Sequence, residues 1–131
     1  MCAGISVWSP LVYYGIKPGQ KLAVAGLGGL GSLAVKFGVA MGLHVTVISR
    51  GTSKKEEALK VLGAHDFLDS TDKEAWATAA GKFDQIMDTI SADHDFKLYM
   101  STLDVNGKII VVGAPPTSIA VGFLDLWIGR K

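Results

Sequence analysis

The sequence is poor in cysteine, in net charge and in long apolar runs, and each shortage excludes a class of proteins. One cysteine, Cys2, occurs among 131 residues, which excludes an intramolecular disulfide framework and a cysteine-rich structural zinc site. A net charge of +1 supplies no field that would attract nucleic acid or an anionic membrane. No apolar run approaches the roughly 20 residues that span a bilayer, and no signal-peptide pattern is visible at the start. We therefore expect a cytoplasmic protein without nucleic-acid or membrane partners.

What the chain has is an apolar composition over the length of one domain. Hydrophobic residues make up 49% of the sequence and charged residues 19%, which is too apolar for a disordered chain. A length of 131 residues corresponds to one typical domain. No repeat, low-complexity tract or change of composition marks a boundary. We therefore predict a single domain over residues 1–131.

Short apolar runs alternate with segments of helical spacing. Strands are predicted over residues 21–25, 44–49, 66–69, 83–89 and 108–112, the last entered through a turn at Asn106-Gly107. Helices are predicted over residues 32–41, 53–60, 72–80 and 95–103. This alternation is typical of an α/β domain, in which helices cover both faces of a parallel sheet. We predict a Rossmann-type doubly wound sheet with the strand order 3-2-1-4-5.

A glycine-rich segment links the first predicted strand to the following helix and fits the pattern G-x-G-x-x-G. It consists of Gly26, Leu27, Gly28, Gly29, Leu30 and Gly31. In such a segment the first glycine permits a tight turn, the second lets a pyrophosphate approach the backbone, and the third allows close helix packing. The free amides at the helix start then hold the phosphates. The position between strand and helix favours dinucleotide binding over a turn that needs glycine for geometry alone.

The residues after the second strand favour NADP(H) over NAD(H). A fold selective for NAD commonly places an acidic residue there, but no carboxylate precedes Glu56. The segment instead carries hydroxyl and cationic groups that attract a 2′-phosphate. The candidate residues are Ser49, Arg50, Gly51, Lys54 and Lys55. An alternative is a solvated helix start, although cations at that position oppose the helix dipole. The lack of an acid also weakens a methyltransferase interpretation.

Seven short motifs are spread over the chain. They are CAGISVWSPL at 2–11, GLGGLG at 26–31, VIS at 47–49, SKKEEAL at 53–59, LGA at 62–64, DT at 88–89 and VGAP at 112–115. In order and spacing they resemble the zinc-dependent medium-chain alcohol dehydrogenases, in particular the NADP-dependent, cinnamyl alcohol dehydrogenase-like branch. The resemblance implies a fragment of a longer enzyme. It would be the cofactor domain, without the domain that supplies the remaining catalytic-zinc ligands and the four-cysteine structural zinc lobe.

The resemblance also assigns individual residues. Cys2 matches a catalytic-zinc ligand of the intact enzyme, but one thiolate cannot hold zinc tightly, so we expect a free thiol here. Ser6 occupies a position where the family usually has a threonine near the nicotinamide. Thr89, Ile90 and Gly113 follow the fourth and fifth strands, where the family contacts the nicotinamide ribose. Ordinary strand-end turns are the alternative for these three.

The remaining polar groups are interpreted as structural. His44, His65 and His94 lack the spacing of metal ligands. Tyr13 and Lys17 form a Tyr-x-x-x-Lys pair, which is catalytic in short-chain dehydrogenases, but here the pair precedes the glycine-rich segment. The acidic residues between positions 88 and 95 are expected to form turns and helix caps rather than a catalytic site.

Three functional hypotheses follow from these patterns. In the first, the parent enzyme moves a hydride between an alcohol and NADP⁺ with zinc as Lewis acid, and this chain binds NADP(H) without turnover. The substrate of the intact enzyme would be an alcohol or aldehyde. The second is a stand-alone NADP(H)-binding or sensor module, and the third is an assembly domain with an empty pocket. The apolar segments 5–14 and 122–128 predict self-association or further protein contacts, and hence a possible homo-oligomer.

Overall fold

A computed structural model describes residues 2–130 and contains a sheet of five parallel strands. The strands are β1 Lys21–Ala25, β2 His44–Ser49, β3 Asp66–Asp69, β4 Phe83–Asp88 and β5 Leu103–Val111. Their order is β3-β2-β1-β4-β5, and every neighbouring pair is parallel. The predicted α/β class, the Rossmann-type topology and the strand order are thereby confirmed.

The helices connect the strands and flank the sheet. They are α1 Cys2–Tyr13, α2 Gly29–Ala40, a single π-helical turn Glu57–Val61, α3 Lys73–Thr78, α4 Phe96–Ser101 and α5 Phe123–Trp127. The helix bounds differ from the prediction. Helix α2 begins at Gly29 instead of residue 32, and the helix predicted over 53–60 overlaps the π-helical turn. Helices α3 and α4 are shorter than the predicted 72–80 and 95–103. No helix was predicted for α1 or α5. Across residues 2–130, none of the helices has both the length and the apolar character needed to cross a bilayer.

The core lies on both faces of the sheet because successive side chains of β1 point to opposite sides. Leu22 and Val24 are fully buried in a cluster with apolar residues of α1 and α2. Ala23 and Ala25 are equally buried in the cluster on the other face, which includes residues of α3 and α4. Burial on both faces explains why the strands are nearly continuous apolar runs.

Strand β5 starts earlier than predicted and contains an irregularity. Leu103 pairs with Phe83 and Lys108 pairs with Gln85, so residues 104–107 bulge out of the ladder. Asn106 has a φ of +63°, which a turn residue such as asparagine tolerates. The expected Asn106-Gly107 turn is therefore present, but it lies inside the strand rather than before it.

Candidate nucleotide-binding site

The glycine-rich turn brings the end of β1 against the start of α2. Gly26 has a φ of +88°, a left-handed conformation that favours glycine, and its N–H donates to the carbonyl oxygen of Ile48 at 2.9 Å. A Cβ on Gly31 would overlap the carbonyl oxygen of Gly26. These are the tight turn and the close helix contact predicted for the two glycines.

The start of α2 is open toward solvent. Gly28 is the N-cap residue in an extended conformation, and no side chain caps the helix. A Cβ built on Gly28 or on Gly29 meets nothing within 4 Å. The first amides of the helix therefore have no capping side chain among the described residues, and such a helix start is a ready anion-binding site. The fold itself does not require glycine at position 28, whereas a closely bound phosphate group would.

The end of β2 is held in place by Asp69 of β3. Gly51 has a φ of +71°, and its N–H donates to Asp69 Oδ1 at 2.9 Å. The hydroxyl and the N–H of Thr71 donate to the same oxygen at 2.7 and 2.9 Å. The Thr71 hydroxyl, the Thr71 N–H and the Gly51 N–H together lower the pKa of Asp69 below its ordinary value, against a smaller effect of burial. No signal in the sequence marked this positioning role.

The predicted cations lie beside the glycine-rich turn. Lys54 Nζ donates to the carbonyl oxygen of Leu27 at 2.8 Å. Arg50 and Ser49 line the cleft at the end of β2. The backbone N–H of Lys55 donates to Thr52 at 3.1 Å, and its exposed side chain has no hydrogen-bond partner within residues 2–130. The structure thus brings Arg50 and Lys54 to the site, and Lys55 lies at its margin.

The ends of β4 and β5 close the other side of the site. The Thr89 hydroxyl donates to the carbonyl oxygen of Ala25 at 2.7 Å. A Cβ on Gly26 would lie 3.0 Å from the Thr89 hydroxyl, and a Cβ on Gly113 would overlap the Ile90 carbonyl. Thr89 and Ile90 therefore meet the glycine-rich turn, and Gly113 packs against Ile90, as expected where the carboxyl ends of parallel strands face one crevice.

Asp88, the last residue of β4, forms a close pair with His94. Asp88 is fully buried at the end of β4, and its Oδ2 lies 2.7 Å from Nε2 of His94. The backbone carbonyl of Asp88 accepts the N–H groups of Val112 and Gly113 at 2.9 and 3.0 Å. The Asp95 carboxylate accepts the N–H of Lys97 and caps α4. The expectation that this acidic segment forms turns and caps is confirmed for Asp95.

These elements enclose a cavity of about 440 Å³ beyond the carboxyl ends of the strands. Its lining includes Gly26, Ser49, Arg50, Trp76, Ile90 and Tyr99. Trp76 donates its ring N–H to the carbonyl oxygen of Ser70 at 2.9 Å and packs edge-to-face on Tyr99 at 4.9 Å. Burial, with the nearby Asp88 charge, raises the pKa of Tyr99 to about 12, so its hydroxyl is protonated at neutral pH. The sequence placed Trp76 and Tyr99 on predicted helices, without indicating a cleft.

The two residues predicted to serve zinc and the reacting end of the cofactor lie elsewhere. Cys2 is exposed and Ser6 is half-buried on α1, and neither lines the cavity. Within the described part of the chain, no three histidine, cysteine, aspartate or glutamate side chains are grouped to hold a metal ion. These residues therefore do not make a zinc site by themselves, and the roles of Cys2 and Ser6 stay predictions.

Known proteins share both the sequence and the fold. The profile of the family described as zinc-binding dehydrogenase matches residues 29–131. A probable mannitol dehydrogenase from Stylosanthes humilis is 50% identical over all of this chain, which corresponds to 37% of that protein. A cinnamyl alcohol dehydrogenase structure from Sorghum bicolor superposes with a TM-score of 0.95 at 44% identity, covering 97% of this chain and 36% of that one.

A second solved structure carries a nucleotide. The cinnamyl alcohol dehydrogenase from Helicobacter pylori, complexed with NADP(H), superposes with a TM-score of 0.85 at 38% identity. It covers 97% of this chain and 35% of its own. The chain thus spans little more than a third of the length of each of these relatives.

Proposed function

Because the chain belongs to the zinc-binding dehydrogenase family, we propose that it is the NADP(H)-binding part of an alcohol dehydrogenase. The observation that carries the proposal is the open start of α2. A Cβ on Gly28 meets nothing within 4 Å, while Arg50 lines a cavity with Gly26 and Lys54 contacts the carbonyl oxygen of Leu27. An uncapped helix start flanked by two cations fits a pyrophosphate and a further phosphate.

The residues present fit the cofactor along its length. The amides at the start of α2 would hold the pyrophosphate. Arg50 would pair with the 2′-phosphate as a planar donor, and Lys54 would add a point charge beside the turn. The cleft beyond Arg50, with Trp76 and Tyr99 in its wall, offers apolar surface for the adenine. A relative complexed with NADP(H) supports this choice of nucleotide.

The other end of the cofactor would lie over the ends of β4 and β5. Thr89 and Ile90 lie against Gly26 there, and Gly113 packs on Ile90. When bound, the nicotinamide accepts or supplies a hydride. This chain's part in that chemistry is to orient the ring and to exclude water from one of its faces.

The activity of the whole protein is part of the same proposal. We infer interconversion of alcohols and aldehydes, supported by relatives named mannitol dehydrogenase and cinnamyl alcohol dehydrogenase. Cys2 would be one ligand of a zinc ion whose other ligands come from a longer protein, and Ser6 would lie near the nicotinamide. No zinc-dependent step is assigned to the residues described. Cytoplasmic location and the absence of nucleic-acid and membrane partners stay predictions.

Fluorescence titration of the purified chain with NADPH and with NADH tests the proposal. We expect NADPH to bind at least about tenfold more tightly, the effect of one charge-assisted contact to the 2′-phosphate. Arg50→Glu should remove this preference, whereas Lys36→Glu on the exposed face of α2 should retain it. Binding of neither nucleotide would favour an assembly domain, and tighter binding of NADH would overturn the NADP assignment.

An alcohol oxidation assay separates cofactor binding from catalysis. The chain alone, supplied with NADP⁺ and zinc, should show no turnover because its described residues form no metal site. Zinc-dependent turnover by the pure chain would contradict the assignment of catalysis to a longer protein.

A further inference from the structure

Asp88 connects three parts of the nucleotide cleft. Its carboxylate accepts the N–H of Ile90 at 3.1 Å, which fixes the turn after β4. Its carbonyl oxygen accepts the N–H groups of Val112 and Gly113, which fixes the end of β5. The second carboxylate oxygen contacts His94, six residues further along the chain. Asp88 is fully buried, so the protein has to compensate its charge internally.

Both ring nitrogens of His94 face hydrogen-bond acceptors. Nε2 lies 2.7 Å from Asp88 Oδ2, and Nδ1 lies 2.8 Å from the carbonyl oxygen of Ala92. An ionised carboxylate and a carbonyl can accept hydrogen bonds but cannot donate them. A neutral imidazole carries one N–H and would satisfy one of the two. The doubly protonated imidazolium is the form of the ring that satisfies both acceptors at once.

The His94 side chain fixes one wall of the cleft. Ala92, Asp93, His94 and Asp95 line the cavity opposite Ser49 and Arg50. The ring of His94 is tied to β4 through Asp88 and to its own segment through Ala92, and it packs edge-to-face on Tyr99 at 5.3 Å. The contact with Asp88 ties the segment to the end of β4, whereas the contact with Ala92 fixes the ring within its own segment.

We propose that the Asp88–His94 ion pair is a positioning element of the nucleotide cleft, through which protonation of His94 controls cofactor affinity. The inference rests on the proposed function, because it takes NADP(H) as the ligand. When His94 is protonated, the 91–95 segment is held against β4 and the cleft has the shape that binds NADP(H). When His94 loses its proton, one acceptor loses its partner and the wall becomes mobile.

The charges around His94 agree with this assignment. Burial opposes the charged ring, but the Ala92 carbonyl and the Asp88 carboxylate outweigh it and raise the pKa of His94 above its ordinary value. Tyr99 stays neutral at pH values well below 12 and cannot replace the imidazolium as a charged partner. The other charged groups at the same cavities are Arg50, Asp93, Asp95 and Lys97.

The direction of the effect follows from the raised pKa. A histidine whose folded-state pKa is raised contributes its full stabilisation below the unfolded value near 6.5. The contribution is lost as the pH rises through the folded-state pKa. Affinity for NADPH should therefore fall as the pH rises through the raised pKa of His94, while the 2′-phosphate, whose second pKa is about 6, stays ionised.

The dissociation constant of NADPH, measured between pH 7 and pH 9, tests the inference. For the wild-type chain we expect an increase of about fivefold, at the lower end of typical coupling between sites. His94→Gln keeps one amide donor but cannot titrate. Its dissociation constant should equal the wild-type value at pH 9 and stay constant over the range. His65→Gln, outside the cleft, should retain the wild-type pH profile.

Nuclear magnetic resonance of the ring nitrogens provides a readout that needs no cofactor. Both nitrogens of His94 should carry protons at pH 6, below the ordinary value of 6.5. The resonances can be assigned by elimination with His44→Gln and His65→Gln if His94→Gln does not fold. A neutral His94 ring at pH 6, or NADPH binding with no pH dependence, overturns the inference and leaves the proposed function intact. Absence of NADPH binding at every pH overturns both.

Discussion

The ammonium nitrogen of Lys54 lies 2.8 Å from the carbonyl oxygen of Leu27. This contact joins the segment after β2 to the glycine-rich turn after β1, although the two residues are 27 positions apart. It places a positive charge beside the free amides of α2. The two features that predicted a nucleotide site from separate stretches of sequence are thus parts of one surface.

Removal of the Lys54 charge should weaken nucleotide binding without unfolding the chain. Lys54→Met should raise the dissociation constant of NADPH by roughly tenfold, because one charge-assisted phosphate contact is lost. The side chain is exposed, so the melting temperature should change little. Lys36→Met makes the same charge change on the exposed surface of α2 and should leave the dissociation constant within about twofold. Equal losses in the two variants would point to bulk charge instead of a local contact.

The glycines at positions 28 and 31 should respond differently to alanine. Gly31→Ala places a Cβ on the carbonyl oxygen of Gly26 and should lower the free energy of unfolding by about 1–3 kcal/mol or more. Gly28→Ala places its Cβ in open space and should change stability by less than about 1 kcal/mol. The same variant should nevertheless abolish measurable NADPH binding, because the methyl group occupies the approach to the pyrophosphate.

Chemical denaturation together with nucleotide titration distinguishes these two effects. If Gly28→Ala binds NADPH with wild-type affinity, the phosphates do not approach the backbone at that glycine. If Gly31→Ala is as stable as the wild type, the close contact between α2 and the end of β1 is not a constraint on the fold.

Acid should destabilise the chain partly through Asp69. Hydrogen bonds from Thr71 and Gly51 lower the pKa of Asp69 below the ordinary value of 3.8. The stabilisation is therefore complete above pH 3.8 and is lost as the pH falls through the lower, folded-state pKa. In Asp69→Asn, the free energy of unfolding should fall less steeply than in the wild type as the pH drops below 3.8. Urea denaturation midpoints at a series of acidic pH values check this, with Asp104→Asn as a matched exposed control.

The apolar surface of α5 should drive self-association. Phe123 and Trp127 stack on one another and are 75% and 68% exposed. Exposed apolar patches of this kind mark contact surfaces. Sedimentation velocity should show association that increases with protein concentration, and Phe123→Ser with Trp127→Ser should reduce it. Lys73→Ser on α3 should not. A wild-type sedimentation coefficient independent of concentration would contradict the prediction.

The features that the sequence predicted correctly depend on local patterns. Apolar runs mark the five strands, and the position of Gly26 and Gly31 between a strand and a helix predicts their turn. The start of α2 was placed three residues late, because glycine is a poor helix former and Gly29 gave no helical signal. The bulge in β5 depends on pairing with β4, which no local pattern reveals.

The residues that complete the site were harder to predict because they act through tertiary contacts. Asp69 and Asp88 look like ordinary strand-end acids, and only some of their hydrogen-bond partners are neighbours in sequence. Gly51 reaches Asp69 from the segment after β2, and Val112 and Gly113 reach Asp88 from the end of β5. Trp76 and Tyr99 have the spacing of core residues, but both also line the nucleotide cleft. The histidine at position 94 was expected to be a surface or strand-edge residue. Its contact with the buried Asp88 carboxylate depends on the folded structure and could not be predicted from the sequence.

The absence of a side chain between Gly31 and the Gly26 carbonyl has a thermodynamic consequence for ligand association. The turn cannot shift relative to α2, because the carbonyl group of Gly26 already packs against the backbone of Gly31. Its amides are therefore oriented before any nucleotide arrives, and little conformational entropy is lost on association. A rigid receptor of this kind should form its phosphate contacts in a single fast step, with no slow rearrangement of the turn.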